Sequence, residues 1–284
     1  MTPAPPAPAY RGRLAPTASG FLHCGHAHTF AAAADRAKRA GGELLLRIED
    51  IDPQRCRPEY LAAIVEDLAW LGLDWQPAPA AEAGPNGAYL QSRARHRHEA
   101  AWRTLARAGL LYPSPHSRRA IAERSPPSER DGGTRFPPEL RQPPPRELPH
   151  SPGPANWRFR VPEGRVVPFT DARCGPQTFT AGEDFGDFLV WRRDDAPAYE
   201  LAGAVDDLAQ GITEVVRGED LLLSTARQIL LLEALGATPP SYCHLPLTRD
   251  PTGRRLSKTE RDLSLRELRA RGHSPGEVLA MPSG

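Results

Sequence analysis

The spacing of apolar residues in the first hundred positions switches between strand and helix patterns. A short strand is predicted from Tyr10, and an Ala-rich stretch predicts a helix from about 25 to 40. Residues 43–49, ELLLRIE, have the length and continuous apolarity of a buried parallel strand, so these three elements form a β-α-β unit. Apolar residues at helical spacing then predict helices over 58–72 and 92–108.

This periodicity is lost between residue 113 and about residue 168. Fourteen prolines fall in that interval, and proline disrupts both helix interiors and central strands. Regular patterns return with the segment 187–193, DFLVWRR, the segment 198–211 and a helix of about 225–235. The sequence therefore predicts an α/β fold in two halves, separated by an insert. The expected parts are a disordered Ala/Pro tail at 1–9, a first half at 10–108, a Pro-rich inserted subdomain at 109–180, a second half at 181–240 and a C-terminal loop and helical segment at 241–284.

The composition is typical of a protein from a reducing compartment. A chain of 284 residues can bury a full core without cross-links. Its four cysteines are scattered without a Cys-x-x-Cys pair, which indicates neither a disulfide framework nor a regular structural zinc site. No apolar run approaches the roughly 20 residues of a membrane span, and the start MTPAPPAPAY does not resemble a signal peptide. We therefore expect a cytoplasmic protein with no membrane partner.

Charge is distributed unevenly along the chain. The net charge is only +1, which argues against a generally basic surface for nucleic acid. From Gln91 to Arg165, however, there are 15 Arg, no Lys and 7 acidic residues, so this part carries +8 and the remainder −7. The sequence predicts salt-dependent contact with a phosphate backbone around the insert.

A group of histidines lies at the predicted start of the first helix. His23 and His26 flank Gly25, and imidazoles beside the free N–H groups of a helix N-terminus suit a phosphate chain. The same residues, together with His28, are also compatible with surface histidines or a loose metal site.

A second candidate motif is the string Gly253-Arg-Arg255-Leu256-Ser257-Lys258-Thr259. Among 36 basic residues, only Lys258 and Lys38 are lysines. A compact ammonium on a flexible stem can follow a moving phosphate charge better than a planar guanidinium can. Taken alone, the string is more typical of a solvated basic loop before a helix.

Together the two motifs resemble the signatures of class I aminoacyl-tRNA synthetases. His23-Cys-Gly-His26 is similar to the HIGH element, and Arg255-Leu-Ser-Lys-Thr259 to the KMSKS loop. Further strings follow the glutamyl-tRNA synthetase pattern in order and spacing over about residues 10–260. They are Arg13-x-Ala15-Pro-Thr17-x-Ser-Gly, Arg47-Ile-Glu-Asp-Ile-Asp52, Ala198-Tyr199-Glu-Leu-Ala, Val205-Asp-Asp207, Gly211-Ile-Thr-Glu-Val-Val-Arg217-Gly and Tyr242-Cys-His-Leu-Pro-Leu247. The resemblance implies a Rossmann-type nucleotide-binding fold with a parallel sheet, split by an inserted subdomain.

The length after Lys258 favours one branch of this family. Only residues 259–284 follow it, too few for an anticodon-binding domain, so we expect none. The chain therefore resembles the glutamyl-queuosine tRNA(Asp) synthetases. This resemblance implies that a monomer activates L-glutamate with ATP and Mg²⁺ to glutamyl-adenylate. The glutamyl group would then pass to the queuosine base at the wobble position of tRNA(Asp), without a covalent enzyme intermediate.

The resemblance also implies roles for individual residues. The implied catalytic residues are His23, His26 and Lys258. The implied ATP-binding residues are His23, Gly25, His26, Arg255, Leu256, Ser257 and Lys258. The implied glutamate-binding residues are Arg13, Ala15, Thr17, Glu49, Tyr199 and Arg217, with both arginines on the γ-carboxylate and Glu49 on the α-ammonium group.

Other roles stay open for two of these residues, and two further acidic residues suggest a metal site. Arg217 could instead form a structural ion pair with Glu214 or Glu219, and Tyr199 could be a core aromatic. Asp206 and Asp207 suggest a Mg²⁺ site, but on a predicted strand adjacent side chains point to opposite faces, so we expect at most one to face it.

The insert departs from the family pattern at the positions of a zinc site. Many relatives carry Tyr-Pro-Cys-x-Cys and a later Tyr-x-x-x-Cys, where this sequence has Tyr112-Pro-Ser114-Pro-His116 and Phe136-Pro-Pro-Glu-Leu140. Only His116 could bind zinc, and one ligand cannot hold a closed tetrahedral site. We therefore predict no structural zinc, and expect the dense prolines to restrict this loop instead.

Three other functions remain compatible with the sequence. The chain could be a relic glutamyl-tRNA synthetase that charges a tRNA 3′ end, although the short C-terminal segment argues against this. It could bind tRNA or glutamate without catalysing a reaction, although the intact His23, His26 and Lys258 argue against this. His26 itself replaces the Ser or Thr common in bacterial relatives. It could also join an amino acid to a small-molecule amine.

Overall fold

The structure, a computed structural model, describes residues 10–125, 134–246 and 263–281. The chain divides into two compact units. The first is drawn from residues 1–93, 211–219 and 240–284, and the second from residues 94–210 and 220–239. Each unit is therefore built from segments that lie far apart in the sequence.

Strands and helices alternate along much of the described chain. The strands are β1 (Arg11–Leu14), β2 (Glu43–Ile48), β3 (Tyr89–Leu90), β4 (Leu111–Pro113), β5 (Trp157–Phe159), β6 (Val166–Asp171), β7 (Gly175–Thr180), β8 (Phe188–Trp191), β9 (Glu214–Gly218) and β10 (Ser241–Leu245). The helices are α1 (Cys24–Arg39), α2 (Pro58–Trp70), α3 (Arg95–Arg107), α4 (Arg118–Ala122), α5 (Tyr199–Ala209), α6 (Leu222–Ala234), α7 (Leu265–Ala270) and α8 (Pro275–Ala280). No helix within the described ranges has both the length and the apolarity needed to cross a membrane.

Parallel strand pairs organise the first unit. β2 pairs with β1 on one side and with β3 on the other, and β9 pairs with β10. β2 is buried from Leu44 to Ile48, as expected of a parallel strand with both faces covered. The predicted strand at 43–49 and helix at 25–40 are confirmed to within about one residue.

Helix α1 packs a face of small residues into the core of the first unit. Ala27, Ala33 and Ala37 are buried on this face, and short side chains allow a helix to approach a sheet closely. They share one apolar core with Leu14 of β1 and Val216 of β9. The two C-terminal helices, α7 and α8, extend the same core.

The second unit combines antiparallel strands with α3, α5 and α6. β5 lies between β4 and β8, and β6 and β7 form a hairpin. Trp102 of α3 meets Trp157 of β5 edge-on, with 4.9 Å between ring centroids. The proline-rich interval thus contains more regular structure than its lost periodicity predicts, because most of its described prolines lie between short elements.

One local expectation from the sequence is wrong. Asp206 and Asp207 lie on helix α5, and not on a strand, and both are buried. Leu, Ala and Glu before them favour a helix, which begins just after Pro197. Consecutive positions of a helix are only about 100° apart, so the two carboxylates do not have to point to opposite faces.

Candidate active site

Two histidines form a reciprocal cap at the start of α1. His23 is the N-cap residue, and its Nδ1 accepts a hydrogen bond from the N–H of Gly25 at 3.2 Å. The Nδ1 of His26 accepts from the N–H of His23, also at 3.2 Å. The two rings lie 3.9 Å apart between centroids. The histidines therefore satisfy two backbone donors that the first turn of a helix normally leaves open.

This cap determines which ring atom of each histidine can donate a hydrogen bond to a ligand. Because the Nδ1 atoms of His23 and His26 accept hydrogen bonds, the proton of each neutral ring is on Nε2. Each ring can then donate from Nε2 at the positive end of the helix dipole, which favours an anion. The sequence led us to expect free backbone N–H groups here, but those of His23 and Gly25 are engaged by the rings themselves.

A carboxylate, Glu49, directly follows β2 and is held against the segment that follows β1. Thr17 forms a parallel β-bridge with Glu49, and its Oγ1 donates to Glu49 Oε2 at 3.3 Å. Nη2 of Arg47 lies 3.7 Å from Glu49 Oε1. Ala15, which is partly buried, lies between β1 and Thr17. The carboxyl ends of two parallel strands thus meet here, where open α/β sheets usually bind ligands.

Two buried arginines, Arg13 and Arg217, belong to the first unit. Nη1 of Arg13 donates to the carbonyl oxygen of Val216 at 2.9 Å, and Val216 directly precedes Arg217. The Nε of Arg217 donates to Nε2 of His244 at 3.3 Å. Glu214 is not a partner on this face, since strand alternation places it opposite Arg217.

Glu214 has its own partners on that other face. Its carboxylate accepts hydrogen bonds from Nε and Nη2 of Arg36 at 2.6 and 2.5 Å. It also accepts one from the hydroxyl of Tyr10 at 2.7 Å. Burial and the Glu214 carboxylate raise the pKa of Tyr10. This network ties α1 to β9 and has a structural role.

The remaining predicted site residues lie either in the second unit or outside the described residues. Tyr199 belongs to the second unit, where it is the first residue of α5. Its side chain is 41% exposed, so it is not a core aromatic residue. The predicted ATP-binding residues Arg255, Leu256, Ser257 and Lys258 lie outside the described residues.

Two polar residues of the first unit were given no role from the sequence. Arg47 on β2 and His244 on β10 are both fully buried. Each is a polar residue within the buried stretch of its strand, and a polar residue among apolar neighbours is the signal that could have identified them. Arg47 lies next to Glu49 and His244 next to Arg217, so both contact residues predicted to bind glutamate.

In the second unit, packing fills the positions that the family resemblance associates with zinc. Tyr112, Phe136 and Leu140 cluster with Ile121. The guanidinium carbon of Arg158 lies 4.2 Å from the ring centroid of Phe136. Among the residues that the structure describes, no group of three or more His, Cys, Asp or Glu side chains is placed to hold a metal ion.

Asp206 is also unsuited to a Mg²⁺ site. Nε2 of His98 donates to its Oδ1 at 2.9 Å, and both side chains are buried within the second unit. A carboxylate already bonded to a buried imidazole is a poor ligand for a strongly hydrated cation.

Comparisons with known proteins identify the family of the chain. Residues 9–281 match the model of the catalytic domain of class I tRNA synthetases (E and Q). A glutamyl-Q tRNA(Asp) synthetase from Nitratidesulfovibrio vulgaris is 43% identical over 282 residues, covering 96% of this chain and 86% of that protein. Glutamate–tRNA ligase 2 from Nitrosococcus oceani is 40% identical over 272 residues, covering 94% of this chain and 57% of the ligase.

A solved structure of a glutamate tRNA ligase has a similar fold. The crystal structure of a glutamate tRNA ligase from Elizabethkingia meningosepticum, in complex with its amino acid, superposes with a TM-score of 0.72 at 28% identity. The match covers 93% of this chain and 53% of the ligase, so the chain spans about half of that protein's length. The class I synthetase fold expected from the sequence is confirmed. The chain belongs to the family of class I tRNA synthetase (E and Q) catalytic domains and is an enzyme of the aminoacyl-tRNA synthetase type.

Proposed function

We propose that the enzyme activates L-glutamate with ATP and transfers it to queuosine at the wobble position of tRNA(Asp). In the first step an α-carboxylate oxygen of glutamate attacks the α-phosphorus of ATP, and pyrophosphate leaves. In the second step a hydroxyl of the queuosine cyclopentenediol attacks the activated carbonyl carbon. The bond from that carbon to the phosphate oxygen breaks, AMP leaves, and the hydroxyl proton is released.

The observation that carries the first step is the grouping of Arg13, Arg217, Thr17 and Glu49 within one unit. Two guanidinium groups match a side-chain carboxylate, and one carboxylate matches an α-ammonium group. Glutamate carries both of these charged groups. Tyr199 and Ala15 would complete its pocket.

His23, His26 and Lys258 would stabilise charge on the phosphates. In this role the two imidazoles donate from Nε2 to phosphate oxygens, and the ammonium group of Lys258 neutralises the pyrophosphate as it leaves. Gly25, Arg255, Leu256 and Ser257 would contact the nucleotide. Mg²⁺ would enter with ATP and neutralise charge on the triphosphate. Catalysis of this kind depends on positioning and electrostatics rather than on a nucleophilic side chain.

The acceptor is proposed from similarity and charge. The relative from Nitratidesulfovibrio vulgaris is named for glutamyl-Q tRNA(Asp). In the second unit, Arg107, Arg118 and Arg146 are exposed within the strongly basic part of the sequence, which suits contact with an RNA backbone. We further propose that the enzyme acts as a monomer in the cytoplasm.

A second candidate acceptor is the 3′ end of a tRNA. The 40% identity with glutamate–tRNA ligase 2 favours it. Measuring ATP–pyrophosphate exchange separates the candidates, because exchange that starts only when tRNA is added supports ordinary tRNA charging. We expect exchange that needs glutamate and no RNA, and that glutamine and aspartate do not support. Absence of exchange under all conditions would reject both candidates.

Substituting Arg217 gives a sharper version of this measurement. Lysine in its place keeps the positive charge but loses the fork that matches a carboxylate. We expect R217K to raise the KM for glutamate at least about tenfold and to change the KM for ATP less than about twofold. An unchanged KM for glutamate would remove Arg217 from the proposed pocket.

A further inference from the structure

Strands β9 and β10 present a polar face that includes Arg217 of the proposed site. Val216 and Cys243 point into the core that contains α1. Because side chains alternate along a strand, Arg217 and His244 point to the opposite face. The parallel register pairs these two residues side by side, and Tyr242 lies on the same face two positions before His244. All three side chains are buried.

The direction of the hydrogen bond between Arg217 and His244 fixes the chemical state of the histidine. Arg217 is always protonated, so its Nε can only donate. At 3.3 Å the Nε2 of His244 must therefore accept with its lone pair. An imidazolium has no lone pair, and the Nε2–H tautomer has none at this atom. His244 is thus neutral and carries its proton on Nδ1.

This contact also orients the guanidinium group. The Nε–H of Arg217 points at His244, and its guanidinium carbon lies 5.9 Å from the ring centroid of Tyr242. The rings of Tyr242 and His244 are themselves nearly parallel, with 22° between their planes. Fixing Nε and the plane of a guanidinium group fixes the direction in which its two terminal nitrogens are presented.

We propose that His244, as the neutral Nδ1–H tautomer, is a positioning residue for Arg217. The inference rests on the proposed function in one respect, the recognition of the glutamate γ-carboxylate by Arg217. His244 does not touch the substrate in this proposal. It sets the geometry of the two terminal donors so that they can bind a carboxylate in bidentate fashion.

Two substitutions separate positioning from simple packing. His244→Gln keeps an acceptor oxygen close to the place of Nε2, whereas His244→Leu has similar bulk and no acceptor. We expect H244L to raise the KM for glutamate about tenfold or more, because hydrogen bonds to charged groups are the stronger ones. The KM for ATP should change less than about twofold, and H244Q should recover most of the loss.

A matched control is available in the second unit. His98 is equally buried and is bonded to Asp206. His98→Leu should lower thermal stability and leave the KM for glutamate unchanged. If H244L and H244Q raise the KM for glutamate equally, or if H98L raises it as much as H244L does, the positioning role is overturned.

The tautomer can be measured directly in the wild-type enzyme, independently of activity and of how the variants fold. Long-range nitrogen–proton NMR on isotope-labelled histidine distinguishes Nδ1–H from Nε2–H rings, and the signal of His244 is the one missing in H244Q. An Nδ1–H ring at neutral pH supports the proposal, whereas an Nε2–H ring or an imidazolium overturns it. Failure of glutamate-dependent exchange in the wild type would reject the proposed function, while this spectrum would still test the contact.

Discussion

The backbone N–H of Leu265 donates to the carbonyl oxygen of Leu22 at 2.7 Å, and the adjacent Ser264 forms an antiparallel β-bridge with His23. Leu265 is the first residue of α7, and His23 caps α1. The segment that follows the lysine motif in the sequence therefore lies directly against the residue that begins the histidine cap. Because Ser264 and Leu265 are buried, this contact is shielded from water.

Removing this backbone donor should affect catalysis. Proline in place of Leu265 lacks the N–H group but is well tolerated at the first position of a helix. Helix α8 already begins with a proline, Pro275. The reference variant is Leu265→Ala, since both changes remove the same buried side chain. We expect kcat for ATP–pyrophosphate exchange to be about fivefold lower in L265P than in L265A, as one hydrogen bond contributes roughly 1 kcal/mol. Equal kcat values would show that the contact does not position His23.

Asp67 on α2 should make the stability of the enzyme depend on pH. Its side chain is 0% exposed, and within the described residues Nη1 of Arg269 on α7 lies 3.9 Å from its Oδ1. Burial raises the pKa of Asp67 from 3.8 to about 6, and Arg269 offsets this only in part. Since the folded pKa lies above the unfolded one, the folded state is favoured at low pH and loses stability as the pH rises from about 4 to 6.

Asp67→Asn removes this titration. We expect the variant to be more stable than wild type at pH 8 by about 2 to 3 kcal/mol, because one pKa unit corresponds to about 1.4 kcal/mol. The difference should shrink between about pH 6 and pH 4. Urea unfolding at several pH values measures it. A difference that does not change with pH would mean that Asp67 has an ordinary pKa.

The Glu214 carboxylate should contribute more to the free energy of unfolding than the more exposed carboxylate of Glu43. Glu214→Gln removes the anion to which Arg36 and Tyr10 donate; the Glu214 side chain is 7% exposed and that of Arg36 37%, so we expect a loss of about 1 to 3 kcal/mol, the range for hydrogen bonds to a charged group. The matched control is Glu43→Gln. Glu43 pairs with Arg11 at 2.8 Å, but both side chains are about one-third exposed, so the expected loss is roughly 0 to 1 kcal/mol. Equal losses in the two variants would contradict the structural role of Glu214.

Metal analysis tests the prediction that the insert holds no structural zinc. We expect protein purified without added metal to contain no stoichiometric zinc, because Ser114 and His116 stand where the family resemblance implies cysteines, and Phe136 packs beside His116. Plasma emission spectroscopy measures the content. One zinc ion per chain, lost together with the fold on chelation, would contradict the prediction.

Local periodicity was enough to predict much of the first unit. Helix α1 and strand β2 lie within about one residue of their predicted bounds, since each carries a clear period and α1 is followed by Gly41 with φ of 61°. The proximity of Arg13 and Arg217 could not be derived in this way. It depends on how β1 and β9, about 200 residues apart, come together in the fold, and only the family resemblance connected them.

Buried polar residues account for most of what the sequence did not reveal. His244 stands in the buried part of β10, and its importance depends on the parallel register that places it beside Arg217. Asp206 and Asp207, expected on a strand, lie on helix α5 and are buried there. In the insert, short strands such as β4 and β5 are held by antiparallel pairing between distant segments, which local patterns do not report.

The most direct test of the account is transfer of radiolabelled glutamate to tRNA(Asp) from which the terminal adenosine has been removed. The enzyme is offered this RNA with and without queuosine. We predict labelling of the queuosine-containing RNA alone, with the label in the anticodon fragment after nuclease digestion. Labelling that requires the terminal adenosine, or that is equal in RNA without queuosine, would contradict the proposed acceptor.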